Sequence, residues 1–180
     1  RRPMGDRTNC SLALGGTLFL DGLVAPLATV LDEAEAIPAE VSSVADELRL
    51  SDPTFLFEEI NYGEMDAVLR TFLEALRLSY AWRWDAGGGY GEGISLFCGT
   101  TRQSVSFGTL EREIVLPVQD LDDPARVSSA KAWHQMDTTL RMQVLSSSHA
   151  RLSAAADAPQ AAILEAQQEI LEAWPDRPWW

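Results

Sequence analysis

Apolar residues recur along this chain with two periods, and the two kinds of segment interleave. Ser11-Leu12-Ala13-Leu14 predicts a short strand, stopped by Gly15-Gly16. Leu20, Leu23, Val24, Leu27, Val30 and Leu31 then follow at steps of three and four and predict a helix from about Leu18 to Ala36. Gly22 and Pro26 leave an alternative open: a strand over Thr17 to Leu20, then a helix capped by Asp21 with Pro26 tolerated near its start. Pro38 suits the first turn of a short second helix with Val41, Val44, Ala45 and Leu48 on one side. Ser51-Asp52-Pro53 is a turn, and Thr54 to Ile60 is rich in β-formers. Asn61-Tyr62-Gly63-Glu64 has the form of a capping box. The helix after it is the clearest element, with Met65, Val68, Leu69, Phe72, Leu73 and Leu76 on one broad face.

From Leu78 the period becomes two. Leu78, Tyr80, Trp82 and Trp84 fall on one side, and Ser79, Ala81 and Arg83 on the other. A glycine-rich connection from Asp85 to Gly93 leads to a strand over Ile94 to Cys98, which predicts an antiparallel hairpin. Gln103 to Phe107 and Glu113 to Val118 add two short strands. After Asp122-Asp123-Pro124 the pattern is helical: Val127, Ala130, Trp133, Met136, Leu140 and Val144 form a stripe, which Ser146-Ser147-Ser148 interrupts. A last helix runs from Ala158 to Trp174, with Ile163, Leu164, Ile170, Leu171 and Trp174 facing inward and Pro175 ending it.

The fold expected is therefore α+β: a small mixed or antiparallel sheet with a βαββ core, covered on one face by helices and followed by a helical C-terminal part. Residues 1–8 are expected to be a flexible N-terminus, with the residues before Met4 read as a remnant of cloning. Residues 9–121 form the core domain, and residues 122–180 are a helical extension packed on it. Trp179 and Trp180 would fold back onto the hairpin, or anchor a partner or a second copy of the chain.

Composition narrows the chemistry. A chain of 180 residues, 46% apolar, can bury a sizeable core. It holds no run of 18 apolar residues, and its basic start has no apolar run behind it, so neither a membrane helix nor a signal peptide is expected and the location expected is cytoplasmic. Cys10 and Cys98 are too few for a disulfide framework and read as reduced thiols. With His134 and His149 the only histidines, no zinc site and no cofactor is expected. Thirteen arginines against the single Lys131 point to codon bias in a GC-rich bacterial genome.

Charge changes the picture more. Between Asp21 and Asp66 twelve acids face one base, Arg49, for a net −11; the remaining fifteen acids and thirteen bases leave −2. Such a field repels phosphate, so nucleic acid is not expected as a direct ligand, nor is a membrane. It attracts basic surfaces. The residues expected to carry partner binding are Asp32, Glu33, Glu35, Glu40, Asp46, Glu47, Asp52, Glu58, Glu59, Glu64 and Asp66. The plain alternative is a solvated face that keeps the protein soluble.

The second candidate site is the hairpin. Trp82, Trp84 and Tyr90 could stack on a ring, and Asp85 and Glu92 could take protons or cations, while glycines let the backbone approach a ligand; the plain alternative is a flexible hairpin over a core aromatic stripe. The segment departs from the dinucleotide fingerprint, because Glu92 stands where its third glycine belongs. Asp85 and Glu92 as a glycosidase pair have no separation fixed by the loop. Glu58 and Glu59, adjacent in a strand, would point to opposite faces. No GxSxG elbow exists, and a dyad of Cys98 with His134 has no motif behind it. No catalytic and no metal-binding residue is therefore assigned.

The composition is similar to that of small accessory proteins of bacterial plasmids and phages, and no motif identifies a family. The expected function is a non-enzymatic acidic inhibitor that occupies the basic nucleic-acid groove of another protein, as antirestriction and anti-CRISPR proteins do. The alternative is a small-ligand or peptide binder using Trp82 to Gly93, and a homo-oligomer is compatible with either.

Overall fold

A computed structural model of the chain describes residues 6–15, 20–88, 90–107, 114–116, 118–135, 152–153 and 156–174. The fold is α+β, as the patterning predicts. Seven strands form one antiparallel sheet in the order β2-β3-β1-β4-β5-β6-β7. They are β1 (Arg7–Leu14), β2 (Ile37–Pro38), β3 (Thr54–Asn61), β4 (Tyr80–Trp84), β5 (Gly93–Phe97), β6 (Arg102–Phe107) and β7 (Ile114–Val115). The described helices are α1 (Val24–Glu33), α2 (Val44–Glu47), α3 (Ala67–Ala75), α4 (Pro124–Gln135) and α5 (Gln160–Ala173).

Helices cover both faces of the sheet rather than one, because both sets of alternating positions carry apolar side chains. Leu12, Leu14, Phe55, Phe57, Tyr80, Trp82 and Phe97 point to the inner face, where α1, α2, α3 and Ile170 of α5 pack on them. Ala13, Ala81, Ile94, Leu96, Val105 and Phe107 point to the outer face and meet Trp133 of α4 and Leu152. The Phe107 and Trp133 rings lie 6.3 Å apart. Trp174 packs tilted on Phe72 at 5.7 Å, so the last helix closes on α3.

The N-terminal half departs most from the sequence reading. β1 starts at Arg7, inside the stretch expected to be flexible, and it is central, paired with both β3 and β4. Buried Thr8 donates its hydroxyl to the Asp85 carbonyl at 2.8 Å, which ties the start of β1 to the residue after β4. Pro38 does not open a helix; it lies in the two-residue edge strand β2, opposite Phe55. A fixed φ near −65° serves either role. The helix that follows is a single turn capped by Ser43, whose hydroxyl accepts from the Asp46 N–H at 3.1 Å.

Asp66, rather than Asn61, caps α3, accepting from the Val68 and Leu69 N–H groups at 2.9 and 3.0 Å. α1 begins after a 3-10 turn at Asp21–Leu23, with Pro26 in its first turn. The suggested strand over Thr17 to Leu20 lies largely outside the described residues. So do Gly89, the stripe from Met136 onward, Trp179 and Trp180.

Candidate functional site

Ten of the eleven acids assigned to partner binding are exposed, and they stand on ordered backbone. Asp32 and Glu33 end α1, and Glu35 follows it in the left-handed region at φ 61°. Glu40, Asp46 and Asp52 surround α2 and the β2 edge. Glu58 and Glu59 sit in β3, where the pairing slips: Thr8 faces Ile60 and Cys10 faces Phe57, so the two glutamates together oppose Asn9. This is a β-bulge, with Glu59 at φ 53°. It breaks the strict alternation expected for the pair and leaves both carboxylates exposed. Glu59 is bonded to Arg7. Glu64 and Asp66 lie at the turn into α3.

Glu47 is the exception. It is 0% exposed. Its Oε2 accepts the Glu40 and Val41 N–H groups at 3.0 and 3.3 Å, and its Oε1 accepts the Thr54 N–H at 3.0 Å. The carboxylate ties the loop after β2 to the start of β3 and is spent inside the fold. It does not belong to a docking surface. Arg49, the one base of the acidic stretch, already lies 3.4 Å from Asp46.

In the hairpin the aromatics take the packing role rather than the ligand-facing one. Trp82 is 3% exposed. Its Nε1 donates to the Gly63 carbonyl at 2.7 Å, and its ring meets Phe57 edge-on at 5.0 Å. Trp84 donates to the Gly91 carbonyl at 3.0 Å and is clamped between glycines. A Cβ on Gly63 would come within 2.6 Å of the Trp84 Cβ, and one on Gly93 within 2.1 Å of its ring. Tyr90 folds back over Gly87 and lies 6.4 Å from Tyr62. Burial pushes the Tyr90 phenol above its ordinary range. All three aromatics are engaged in packing.

Asp85 and Glu92 are placed otherwise. Together with Asn9, Ser11, Leu56, Arg83, Ile94 and Phe107 they line a cleft of about 340 Å³ on the outer sheet face. α4 covers that face over β6, and Leu152 joins Ala13 and Ala81 in the buried cluster near Gly15; among the described residues, Leu56 of β3 stays exposed beside the cleft at Ser11 and Arg83. Sequence reasoning missed this cleft. Ile37, Leu56, Ser11, Arg83, Ile94 and Val105 form one cross-strand row. The row exists only through a register that periodicity does not give.

Elsewhere the Glu74 carboxylate accepts from the Tyr80 hydroxyl at 2.9 Å and from Arg102 at 3.2 Å. Among the described residues no group of three or more His, Cys, Asp or Glu side chains could hold a metal ion. No helix among them is long and apolar enough to cross a membrane.

The two thiols are free and sit on opposite faces of the sheet, Cys10 in the inner core and Cys98 against the outer cluster. Burial, and secondarily the Asp85 charge, pushes Cys10 up from 9.0 to about 12. Burial, and secondarily the Asp157 charge, pushes Cys98 up from 9.0 to about 11. Raised values mean that the fold favours the protonated thiols. Their contribution to stability is complete below pH 9.0 and is lost as pH climbs through the folded values. The melting temperature is accordingly expected to hold level from neutrality and to fall above about pH 9. At pH 8 both thiols should react slowly with a disulfide reagent in the native state and fast in urea. Fast native labelling of both would contradict this placement.

Set beside family models, curated proteins and solved structures, the chain finds no match, so any reading of its function rests on these residues alone.

Proposed function

We propose that this is a non-enzymatic, cytoplasmic binding protein that docks a basic protein surface through its acidic edge. In the concrete form, the partner handles nucleic acid, and the carboxylates stand where phosphates would bind. The observation that carries this reading is the exposure of ten carboxylates on ordered elements, with Arg49 the single base of their stretch of sequence and Arg7 paired to Glu59 from β1. A rigid array of like charge repels phosphate and steers a basic surface toward itself. The fixed backbone lowers the entropy lost on docking.

The alternative, a small-ligand site on the hairpin, keeps Asp85, Glu92 and the half-buried Trp84 at the cleft, since Trp82 and Tyr90 serve packing.

The test uses basic nucleic-acid-binding proteins as prey, with duplex DNA as competitor and a salt series. Glu33→Lys, Glu35→Lys and Asp46→Lys are combined in one variant; Glu47 is left intact because its reversal would break the fold. Each reversal removes an attraction and adds a repulsion of roughly 0.5 kcal/mol apiece, about 3 kcal/mol in all, or more than a hundredfold in affinity. Binding is expected to weaken steeply with salt, to be displaced by DNA, and to be lost in the variant. Salt-insensitive binding, or unchanged binding by the variant, would overturn the proposal.

A further inference from the structure

We infer that the open part of the outer sheet face is an anchor site for one apolar side chain carried on a basic segment of the partner protein. This rests on the acidic docking reading and deepens it.

Ile37 and Leu56 are 42% and 45% exposed, and they face each other across β2 and β3. Two large apolar side chains side by side in solvent are an unsatisfied surface. The next residue in the row is Ser11, whose small side chain leaves room, and the cleft opens there between Leu56, Arg83 and Ile94. About 340 Å³ is at the small end of binding sites, which begin near roughly 300 Å³, so it fits a side chain rather than a large cofactor. Asp85 and Glu92 stand at its rim, and exposed Glu35, Glu40 and Glu58 flank the apolar pair along β2 and β3. The lining also holds one guanidinium, Arg83, which Asp85 and Glu92 outnumber; apolar Leu56 and Ile94 within acidic surroundings are the complement of an apolar side chain flanked by arginine or lysine.

Charge and hydrogen bonding select among occupants. A second copy would bring a further net −13 against the same carboxylates, and a nucleic acid would bring phosphates. Strand addition at the β2 edge is blocked. Ala39 donates to the Thr54 carbonyl of β3, so Ala36, Pro38 and Glu40 point outward by alternation. Pro38 has no N–H, the Ala36 N–H is held by the Leu31 carbonyl, and the Glu40 N–H is held by Glu47. Recognition must therefore run through side chains on the face.

Two seven-residue peptides test this, one with four arginines around a central leucine and one with serine in its place. Each is titrated into isotope-labelled protein and followed by amide NMR. The leucine peptide is expected to bind about tenfold tighter, as a single anchored side chain gives. Shifts should centre on Ser11, Leu56 and Arg83. Leu56→Ser should erase the advantage while leaving the serine peptide's affinity and salt dependence unchanged. The protein's melting temperature serves as the check on folding. Equal affinity of the two peptides, or an advantage that survives Leu56→Ser, would overturn the anchor. Should both peptides bind equally with shifts confined to Asp32, Glu33 and Asp46, the anchor falls while the acidic docking reading stands. If neither binds, the docking reading fails and the anchor fails with it.

Discussion

Replacing Glu47 by alanine is expected to lower the melting temperature by about 10 °C, the largest effect of any acid among the described residues. The reason is local. Three backbone N–H groups, those of Glu40, Val41 and Thr54, have their acceptor in this one buried carboxylate. A hydrogen bond to a charged group contributes about 1.5–3 kcal/mol, and an orphaned buried donor costs about 1–3 kcal/mol. Partial entry of water offsets some of this, so a net loss of about 3–4 kcal/mol is expected, at roughly 2–4 °C per kcal/mol for a chain of this size. The single-turn helix α2 cannot compensate, because a helix of four residues has no cooperative stability of its own. Glu47→Gln keeps the shape but turns a donor amide toward donors, and is expected to cost about 2 kcal/mol. Glu33→Ala, at an exposed site, should stay within about 0.5 kcal/mol of the parent. Thermal and urea melts decide the matter. A Glu47→Ala protein melting within about 2 °C of the parent would mean that the N–H groups find other acceptors.

Glu47 also marks where the sequence stops being legible. Its charge was readable, but its burial was not, because Glu40 and Val41 lie before it in a loop and Thr54 lies after it in a strand. No periodicity connects a side chain to backbone donors on two other segments. What could be read was whatever one segment decides alone. The apolar stripe of α3, the alternation in β4 and the final helix all appear at or near their expected positions. The place of β1 could not be read. Thr8, Asn9 and Ser11 look like the margin of a strand, because one side of β1 lies on the half-open outer face, yet β1 is central in the sheet. The same open face explains why the cleft was missed. Leu56, Ser11 and Arg83 lie far apart in sequence and become neighbours only through the register of three strands. The acidic array was legible as charge, and the structure adds that Glu58 and Glu59 stand in a bulge and that Asp66 also serves as a helix cap.

Trp82→Ala is expected to cost about 4 kcal/mol, the scale on which large aromatic core residues are lost. The alternation of β4 allows Trp82 as a stacking platform or as a core residue, and the two roles give opposite results. A ligand platform is dispensable to the fold, so its removal should abolish binding and leave the melt unchanged. Trp82 instead fills the inner core against Phe57 and holds the Gly63 carbonyl at 2.7 Å. Gly63 sits at φ 67° in the turn between β3 and α3, and Trp84 packs against it as well. Removing the indole thus opens a cavity and releases the turn that sets α3. Trp82→Phe separates the two terms: it keeps most of the ring, loses the N–H, and should cost about 1–2 kcal/mol. Urea melts of the two variants measure both. A stable Trp82→Ala protein would return the hairpin to candidacy as a ligand site. A destabilised one means that loss of binding in this variant reports unfolding, and that the hairpin has to be tested through Asp85→Asn and Glu92→Gln, the two residues of the hairpin whose carboxylates line the open cleft.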